Sequence, residues 1–224
     1  MNRPGAISSW SGGKDSCLAY YRAMRQGRNV SCLLNFVSKG TGRGCFHGID
    51  NSLMRRQADS LGARLIQKEV SPDMENYETE FKAAVRELMA EGADSMVFGD
   101  IYLLDHAGWV ERVCGELGIT PVEPLWNMQP RAIMEEFLGL GFKAVIVSCQ
   151  ADKLGKEFVG RYLDSDIVNE FERLGVCPCG ENGEYHTLVV DGPIFKDKIE
   201  ILESEPLLKE GFWKHWFLDI RRFK

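Results

Sequence analysis

Several features that would assign a function class directly are absent from this 224-residue sequence. No segment approaches the roughly 20 consecutive apolar residues of a membrane-spanning helix, so the sequence predicts no membrane association. The chain has 27 Lys and Arg against 33 Asp and Glu. Its net charge of -6 disfavours a general nucleic-acid binder, because a phosphate backbone requires a concentrated basic face. The N-terminal residues show no apolar segment followed by a cleavage site, and no secretory signal is predicted.

The sequence also lacks the pattern of a disulfide framework or a zinc site. Its seven cysteines are an odd number and lie mostly in apolar segments, which predicts reduced thiols and a cytoplasmic location. Cys177 and Cys179 are close in sequence, but no second pair supplies the four ligands that a structural zinc requires. We find no internal repeat and no low-complexity tract.

Short apolar runs alternate with helical patterns through the first half of the chain. The predicted strands are residues 6–10, 30–37, 63–70 and 95–99. One intervening helix carries Met54, Ala58 and Leu61 on one face, with Asn51 or Ser52 as the expected N-cap, and it ends at Gly62. This alternation predicts a parallel sheet covered on both faces, with ligands beyond the carboxyl ends of its strands.

A proline-rich segment, PVEPLWNMQP at residues 121–130, is predicted to separate two domains. The predicted domains are residues 1–127 and residues 128–224. After Gly175 the pattern changes to Gly-rich loops and short β-like runs. The predicted fold class is therefore α/β, a doubly wound parallel sheet with a smaller C-terminal α+β domain.

The motif SGGKDS lies between the first predicted strand and the first predicted helix. Its two glycines allow a ligand to approach the backbone, and the following helix directs free N–H groups and its positive end to the same place. Lys14 adds a cation, and Asp15 could hold Mg²⁺ against phosphate oxygens. The alternative is a tight turn with Asp15 as helix cap. We favour phosphate binding, although neither common nucleotide fingerprint is present.

Three other segments concentrate polar residues. Asp100 follows the predicted strand 95–99, where a parallel sheet gathers its ligands, and a capping or turn role is the alternative. GENGEYHT, at residues 180–187, is a Gly-rich polar loop, and from composition alone a solvated hairpin turn is the alternative. Residues 38–50, which include His47, are either a mobile basic lid over phosphates or a flexible connection, and both interpretations remain open.

Together these segments resemble the diphthine–ammonia ligase family, and more closely its ligase-related branch. SGGKDS is similar to the PP-loop of the ATP pyrophosphatases, and the resemblance extends from residue 7 to about residue 195. It implies a PP-loop, HUP-like fold with ATP and Mg²⁺. The implied reaction is adenylation of the carboxylate of diphthine on elongation factor 2, with release of pyrophosphate. Ammonia then displaces AMP and forms the amide.

The resemblance also implies roles for individual residues. The ATP-binding set is Ser11, Gly12, Gly13, Lys14, Asp15 and Ser16, with Asp15 also the expected Mg²⁺ ligand. The substrate-binding set is His47, Asp100, Glu181, Asn182, Glu184, Tyr185 and His186. Lys14, Asp15 and Glu184 are the predicted catalytic residues, and Glu184 is the first choice for orienting ammonia.

Alternatives to diphthine amidation remain open. FHGI at residues 46–49 suits the related branch better than the eukaryotic ligase pattern, which leaves another carboxylate as a possible substrate. A tRNA-modifying PP-loop enzyme is disfavoured by the acidic composition and by the lack of a CxxC pair or a basic domain. The third alternative is an ATP-binding sensor without catalysis. Apolar residues near the C-terminus are consistent with a homo-oligomer.

Overall fold

A computed structural model describes residues 5–39, 43–44, 49–71, 73–210 and 214–224. Their contacts divide into two compact units. The first contains the described residues of Met1–Ser11, Asp15–Phe46 and Ala63–Asn127, and the second contains those of Gly12–Lys14, His47–Gly62 and Met128–Lys224. The division into domains 1–127 and 128–224 stays a prediction.

The first unit is built on a mostly parallel sheet. Its strands are β1 (Gly5–Ser9), β2 (Val30–Ser38), β3 (Arg43–Gly44), β4 (Leu65–Val70), β5 (Ala93–Val97) and β6 (Thr120–Val122). Five of these strands run parallel in the spatial order β4-β2-β1-β5-β6, and β3 pairs antiparallel with the end of β2. The helices along this part of the chain are α1 (Lys14–Arg25), α3 (Met74–Ala90) and α4 (Leu104–Leu117).

The strand order of this sheet reverses at β1. The chain passes from β1 to β2 and β4 on one side and returns to β5 and β6 on the other. Because parallel crossovers are right-handed, α1 and the pair α3 and α4 cover opposite faces. The predicted doubly wound sheet is thus confirmed, and its switch point lies between β1 and β5. On the α3–α4 face, Phe81 packs in the buried core with its ring 5.1 Å from Phe36 and 5.0 Å from Trp109.

The second unit combines helices with an antiparallel sheet. Its elements are α2 (Asn51–Leu61), α5 (Pro130–Gly139), β7 (Lys143–Gln150), a short 3₁₀ turn (Lys156–Phe158), α6 (Ser165–Arg173), β8 (Tyr185–Asp191), β9 (Ile201–Glu210) and β10 (Lys214–Phe223). The strand order is β8-β7-β10-β9, and every pairing is antiparallel. The predicted α+β character of the C-terminal part is therefore confirmed.

Two local features differ from the sequence expectations. The N-cap of α2 is Asp50, so the prediction of Asn51 or Ser52 was wrong: the Asp50 carboxylate accepts a hydrogen bond from the Ser52 N–H at 2.8 Å. The short strand β6 lies in a segment that the prolines marked as a boundary. Among the described strands it pairs with β5 alone, and an edge strand tolerates a residue such as Pro121 that donates no backbone hydrogen bond. Gly62 ends α2 in the left-handed conformation, as predicted.

Within the described parts of the chain, none of the helices combines the length and the apolar character needed to cross a membrane. The six cysteines there are all free thiols. Burial raises the pKa of the Cys149 thiol to about 12 and that of Cys114 to about 11, so both remain protonated at neutral pH.

Candidate functional site

The chain that leaves β1 is fixed by the neighbouring strand β2. The Trp10 N–H donates to the Leu34 carbonyl at 2.8 Å, and the Trp10 carbonyl accepts from the Asn35 side-chain amide at 2.9 Å. The hydroxyls of Ser11 and Ser16 lie 3.1 Å apart and form a hydrogen bond. Two of the predicted phosphate-binding hydroxyls are therefore held together where α1 begins.

Gly99 allows the first turn of α1 to approach the end of β5. A Cβ atom on Gly99 would lie 2.9 Å from both the Asp15 carbonyl carbon and the Ser16 nitrogen. Both of these are backbone atoms, so they cannot move aside by changing a rotamer. A glycine is required here because the two main chains lie in contact at the switch point of the sheet.

Carboxylates follow both β5 and β6. The Nδ1 atom of the His106 ring lies 3.1 Å from the Asp100 Oδ1, within hydrogen-bond distance. Glu123 follows β6, and its Oε1 is buried without a hydrogen-bond partner among the described residues. Burial is the main cause that raises the pKa of Glu123, and the negative charges of Asp100 and Glu111 raise it further.

In the second unit, the tripeptide Gly12–Lys14 lies along β8. The Val189 N–H donates to the Gly12 carbonyl at 2.9 Å, and the Lys14 N–H donates to the Thr187 hydroxyl at 3.1 Å. Val189 and Thr187 are two residues apart and therefore share one side of their strand. The middle of the SGGKDS motif is thus bound by hydrogen bonds to the strand that continues GENGEYHT.

Gln57 of α2 holds the same backbone from a second direction. Its Nε2 donates to the Gly12 carbonyl at 2.9 Å and to the Val189 carbonyl at 2.7 Å. Gln57 is fully buried. Sequence reasoning missed this residue, although a signal was present: Gln57 lies on the same helix face as Met54, Ala58 and Leu61, where an apolar residue is expected.

Lys14 belongs to the second unit, and it is only 3% exposed. Its ammonium donates to the Cys179 carbonyl and lies 4.7 Å from the centroid of the Tyr185 ring. A buried ammonium gains from both contacts, because a carbonyl oxygen and the face of an aromatic ring are each electronegative. The structure therefore brings Lys14 together with the loop that precedes β8.

Glu184 organises that loop from within. Its carboxylate accepts from the Cys177 N–H at 3.2 Å, the Asn182 N–H at 3.0 Å and the Asn182 side-chain amide at 3.1 Å. Glu184 itself is only 5% exposed. Both carboxylate oxygens therefore accept hydrogen bonds from donors of the same loop. The composition of the loop did not predict this structural role of Glu184.

The remaining predicted substrate-binding residues differ in their exposure. Tyr185 is fully buried, with its ring 4.5 Å from that of Phe171 and its hydroxyl donating to the Pro178 carbonyl. Asn182 is exposed, while Glu181 and His186 are half-buried. His47 lies outside the described residues, as does most of the predicted lid at residues 38–50.

No three His, Cys, Asp or Glu side chains group together as a metal site within the described ranges. The Cys179 thiol donates to the Pro130 carbonyl at 3.3 Å. Asp15, the predicted Mg²⁺ ligand, lies in the first turn of α1 and belongs to no such group.

Comparison with known proteins assigns the whole chain to one family. The models of the diphthamide synthase N-terminal domain and the diphthamide synthase C-terminal domain match residues 5–121 and 129–224. A Danio rerio protein named diphthine–ammonia ligase is 26% identical over 226 residues, covering 88% of this chain and 86% of that protein. The Homo sapiens protein of the same name is 26% identical over 221 residues, covering 88% and 83%. This name is that of a carbon–nitrogen ligase, in agreement with the predicted enzyme class.

A solved structure titled as a predicted subunit of tRNA methyltransferase from Methanocaldococcus jannaschii covers 85% of this chain and 98% of that chain at 16% identity. Its TM-score of 0.48 is too low to support a conclusion about fold or function. The two family models cover nearly all of the sequence and agree with the resemblance carried by SGGKDS and GENGEYHT. The chain belongs to the diphthamide synthase family.

Proposed function

We propose that this protein is an ATP-dependent acid–ammonia ligase that acts on diphthine of elongation factor 2. A carboxylate oxygen is a poor leaving group, so the acid must first be activated. Attack of the carboxylate on the α-phosphate of ATP forms the acyl adenylate and releases pyrophosphate. Ammonia then attacks the acyl carbon, loses a proton and expels AMP to give the amide. The names of the similar proteins support this choice of substrate.

The observation that carries the proposal is the position of Ser11, Asp15 and Ser16, which follow β1 or lie in the first turn of α1, at the switch point of the parallel sheet. Open α/β sheets bind ligands at this point. The first turn of α1 provides N–H donors and the positive end of the helix dipole, which suit a polyphosphate. The paired hydroxyls of Ser11 and Ser16 are further donors of the right kind. This set of donors fits ATP.

Asp15 is the proposed Mg²⁺ ligand. Mg²⁺ prefers carboxylate, phosphate and water oxygens, and it is commonly held by one or two carboxylates together with substrate phosphates. When bound, the ion would neutralise negative charge on those phosphates. The carboxylate of Asp15, in the first turn of α1, is a ligand of this kind. Asp100 belongs to the same unit and follows the adjacent strand β5, which supports its proposed role in substrate binding.

The proposed roles of Lys14 and Glu184 follow from their contacts. Lys14 supplies a positive charge next to the loop that precedes β8, as expected of a residue that stabilises charge developing on phosphate or acyl oxygens. Glu184 already accepts three hydrogen bonds within its loop. The ammonia-orienting role that we propose for Glu184 therefore requires ammonia to replace one of these donors. The more exposed Glu181, Asn182 and His186 are proposed to contact the acceptor.

The decisive experiment measures nucleotide products from Mg-ATP and ammonium, with and without elongation factor 2 that carries diphthine. Formation of AMP and pyrophosphate only with the factor, together with amide formation, is the expected result. Binding of ATP without factor-dependent AMP would discard diphthine and favour another carboxylate. ATP turnover to AMP on tRNA would favour the tRNA-modifying alternative, and the absence of any turnover would favour a sensor.

Two variants make this assay specific to the proposed residues. Glu184→Gln keeps the volume of the side chain but turns one acceptor oxygen into an NH₂ donor, so amide synthesis should fall while ATP binding is retained. Glu136→Gln is the same change at a half-buried carboxylate of α5 outside the proposed site, and it should leave amide synthesis unchanged. Full amide synthesis by Glu184→Gln would eliminate its proposed catalytic role. The cytoplasmic location and the homo-oligomer stay predictions.

A further inference from the structure

We propose that Gln57 is a positioning residue that fixes the phosphate-binding loop by bridging the carbonyls of Gly12 and Val189. This inference deepens the proposed function and rests on it, because the loop is assigned to ATP. Gln57 is outside the motifs that carry the family resemblance. Its role follows from its own contacts in the second unit.

The bridge uses both amide hydrogens of one buried side chain. The Gln57 Nε2 lies 2.9 Å from the Gly12 oxygen and 2.7 Å from the Val189 oxygen. The Gly12 oxygen also accepts from the Val189 N–H at 2.9 Å. Three hydrogen bonds therefore join the Gly12 carbonyl, the backbone N–H and carbonyl of Val189 and the Gln57 side-chain amide in a closed ring. Such a ring restricts the orientation of the Gly12 peptide more strongly than any single bond.

The conformation of Gly12 makes this restriction useful. Its φ is +78°, and a Cβ on Gly12 would lie 2.9 Å from both the Gln57 Oε1 and the Met54 methyl group. With the Gly12 carbonyl directed towards Gln57 and the Lys14 N–H bound to the Thr187 hydroxyl, the backbone that leads into α1 is held in one orientation. An anion-binding loop depends on preorganised N–H groups, because each must be oriented before the phosphate arrives.

Helix α2 has a second anchor in the same unit that provides a matched control. The Ser60 hydroxyl donates to the Asp197 carbonyl at 2.8 Å, and the Ser60 carbonyl accepts from the Lys196 N–H at 2.8 Å. Ser60→Ala removes a side-chain donor to a backbone carbonyl from the same helix. It leaves the contacts of Gly12 unchanged. A general weakening of α2 would affect both variants, whereas loop positioning involves only Gln57.

The experiment compares Gln57→Met, Gln57→Glu and Ser60→Ala with the wild-type chain, using two readouts. The first is amide hydrogen exchange without nucleotide, over peptides that cover residues 12–16 and 187–191. The second is the Kd for Mg-ATP, measured by calorimetry. We expect Gln57→Met to exchange about tenfold faster at the Val189 and Lys14 amides and to bind ATP about tenfold more weakly, equivalent to ~1.4 kcal/mol. Ser60→Ala should match the wild type in both readouts.

Gln57→Glu adds a pH test that a purely structural role would not satisfy. Its carboxylate has no hydrogen to donate to the two carbonyls, but the protonated acid has one. Burial raises the pKa of such a group, so the ATP affinity of Gln57→Glu should recover partly between pH 8 and pH 6. The affinity of Gln57→Met relative to the wild type should not change over that interval. This variant also keeps the test available if Gln57→Met fails to fold.

The outcomes separate the inference from the proposed function. Faster exchange in the Gln57 variants, combined with no ATP binding by the wild type, would support loop positioning and remove the ATP assignment. ATP binding by the wild type that is unchanged in both Gln57 variants, with unchanged exchange, would overturn the inference alone. Equal effects of Ser60→Ala and Gln57→Met would overturn it as well, because they would reduce Gln57 to a general anchor of α2.

Discussion

Gly99→Ala tests the contact between the end of β5 and the first turn of α1. The added Cβ would lie 2.9 Å from the Asp15 carbonyl carbon and the Ser16 nitrogen, and 3.1 Å from the Asp15 oxygen. Ordinary van der Waals contact starts at 3.4 Å, so the two main chains must separate by 3.4 - 2.9 = 0.5 Å. Because all three atoms are backbone, the separation must move the start of α1 itself.

The expected cost follows from the packing of this region. Inserting a methyl group into a packed site costs about 1–3 kcal/mol. For a chain of this length, such a loss lowers Tm by roughly 2–12 °C. The same displacement moves the N–H groups proposed to bind phosphate, so the Kd for Mg-ATP should rise in parallel, by about tenfold for each ~1.4 kcal/mol lost from binding.

Thermal denaturation followed by circular dichroism, with calorimetry for ATP, measures both effects. Gly108→Ala in α4 is the matched control, because a Cβ at Gly108 meets no atom within 4 Å. In a helix, alanine is more stable than glycine by up to about 1 kcal/mol, so this control should raise Tm. A Gly99→Ala variant with the wild-type Tm and ATP affinity would contradict the close contact between Gly99 and the backbone of Asp15 and Ser16.

Two carboxylates of the first unit should change stability with pH in opposite directions. The guanidinium of Arg112 and the ammonium of Lys82 hold the pKa of Glu78 well below its usual range. Glu78→Gln should therefore lower the free energy of unfolding by about 1–2 kcal/mol at pH 7. This difference should shrink as the pH falls below about 4.3, because the stability that comes from the charged carboxylate is lost as the pH falls through the lowered pKa of the folded protein. Burial first, and then Asp100, raises the pKa of Glu123. Glu123→Gln should stabilise the protein at pH 7, because ionisation of the wild-type carboxylate destabilises the folded protein as the pH rises through its raised pKa. Below about pH 4 the substitution should have no effect, because Glu123 is then protonated in both the folded and the unfolded protein. Urea denaturation at several pH values measures both, and a stability difference independent of pH in either variant would contradict the assignment.

The sequence was sufficient to predict four strands of the sheet in the first unit, because β1, β2 and β5 are largely apolar runs and β4, although it contains Lys68 and Glu69, lies between two helical patterns. Strand β6 escaped prediction for a physical reason. Its three residues include Pro121, and short proline-containing segments are typical of linkers unless a neighbouring strand offers hydrogen bonds. That pairing with β5 is a long-range interaction that local patterns do not contain.

The loop before β8 shows a different limit. Composition describes GENGEYHT as a polar loop, but it treats all carboxylates in a loop alike. Glu184 is buried because three N–H donors of residues 177 and 182 surround it, whereas Asn182, two positions earlier, is exposed. Which polar side chain turns inward depends on the path of the backbone, and that path is set by turns such as the left-handed Gly180 and Gly183.

The largest surprise concerns the segment that the sequence marked most clearly. From the sequence, SGGKDS is expected to bind phosphate through its own glycines and the helix that follows, with Lys14 as an added cation. In the structure, Gly12 and Lys14 take hydrogen-bond partners from Gln57, Cys179, Thr187 and Val189. A loop rich in glycine has too much conformational freedom to hold N–H groups in place by itself, so its rigidity must come from contacts supplied elsewhere in the chain. Here those contacts come from a strand more than 170 residues later and from a glutamine on an otherwise apolar helix face. The two motifs that carry the family resemblance are thus held by one hydrogen-bonded network, which gives a structural reason for their occurrence together in a single chain.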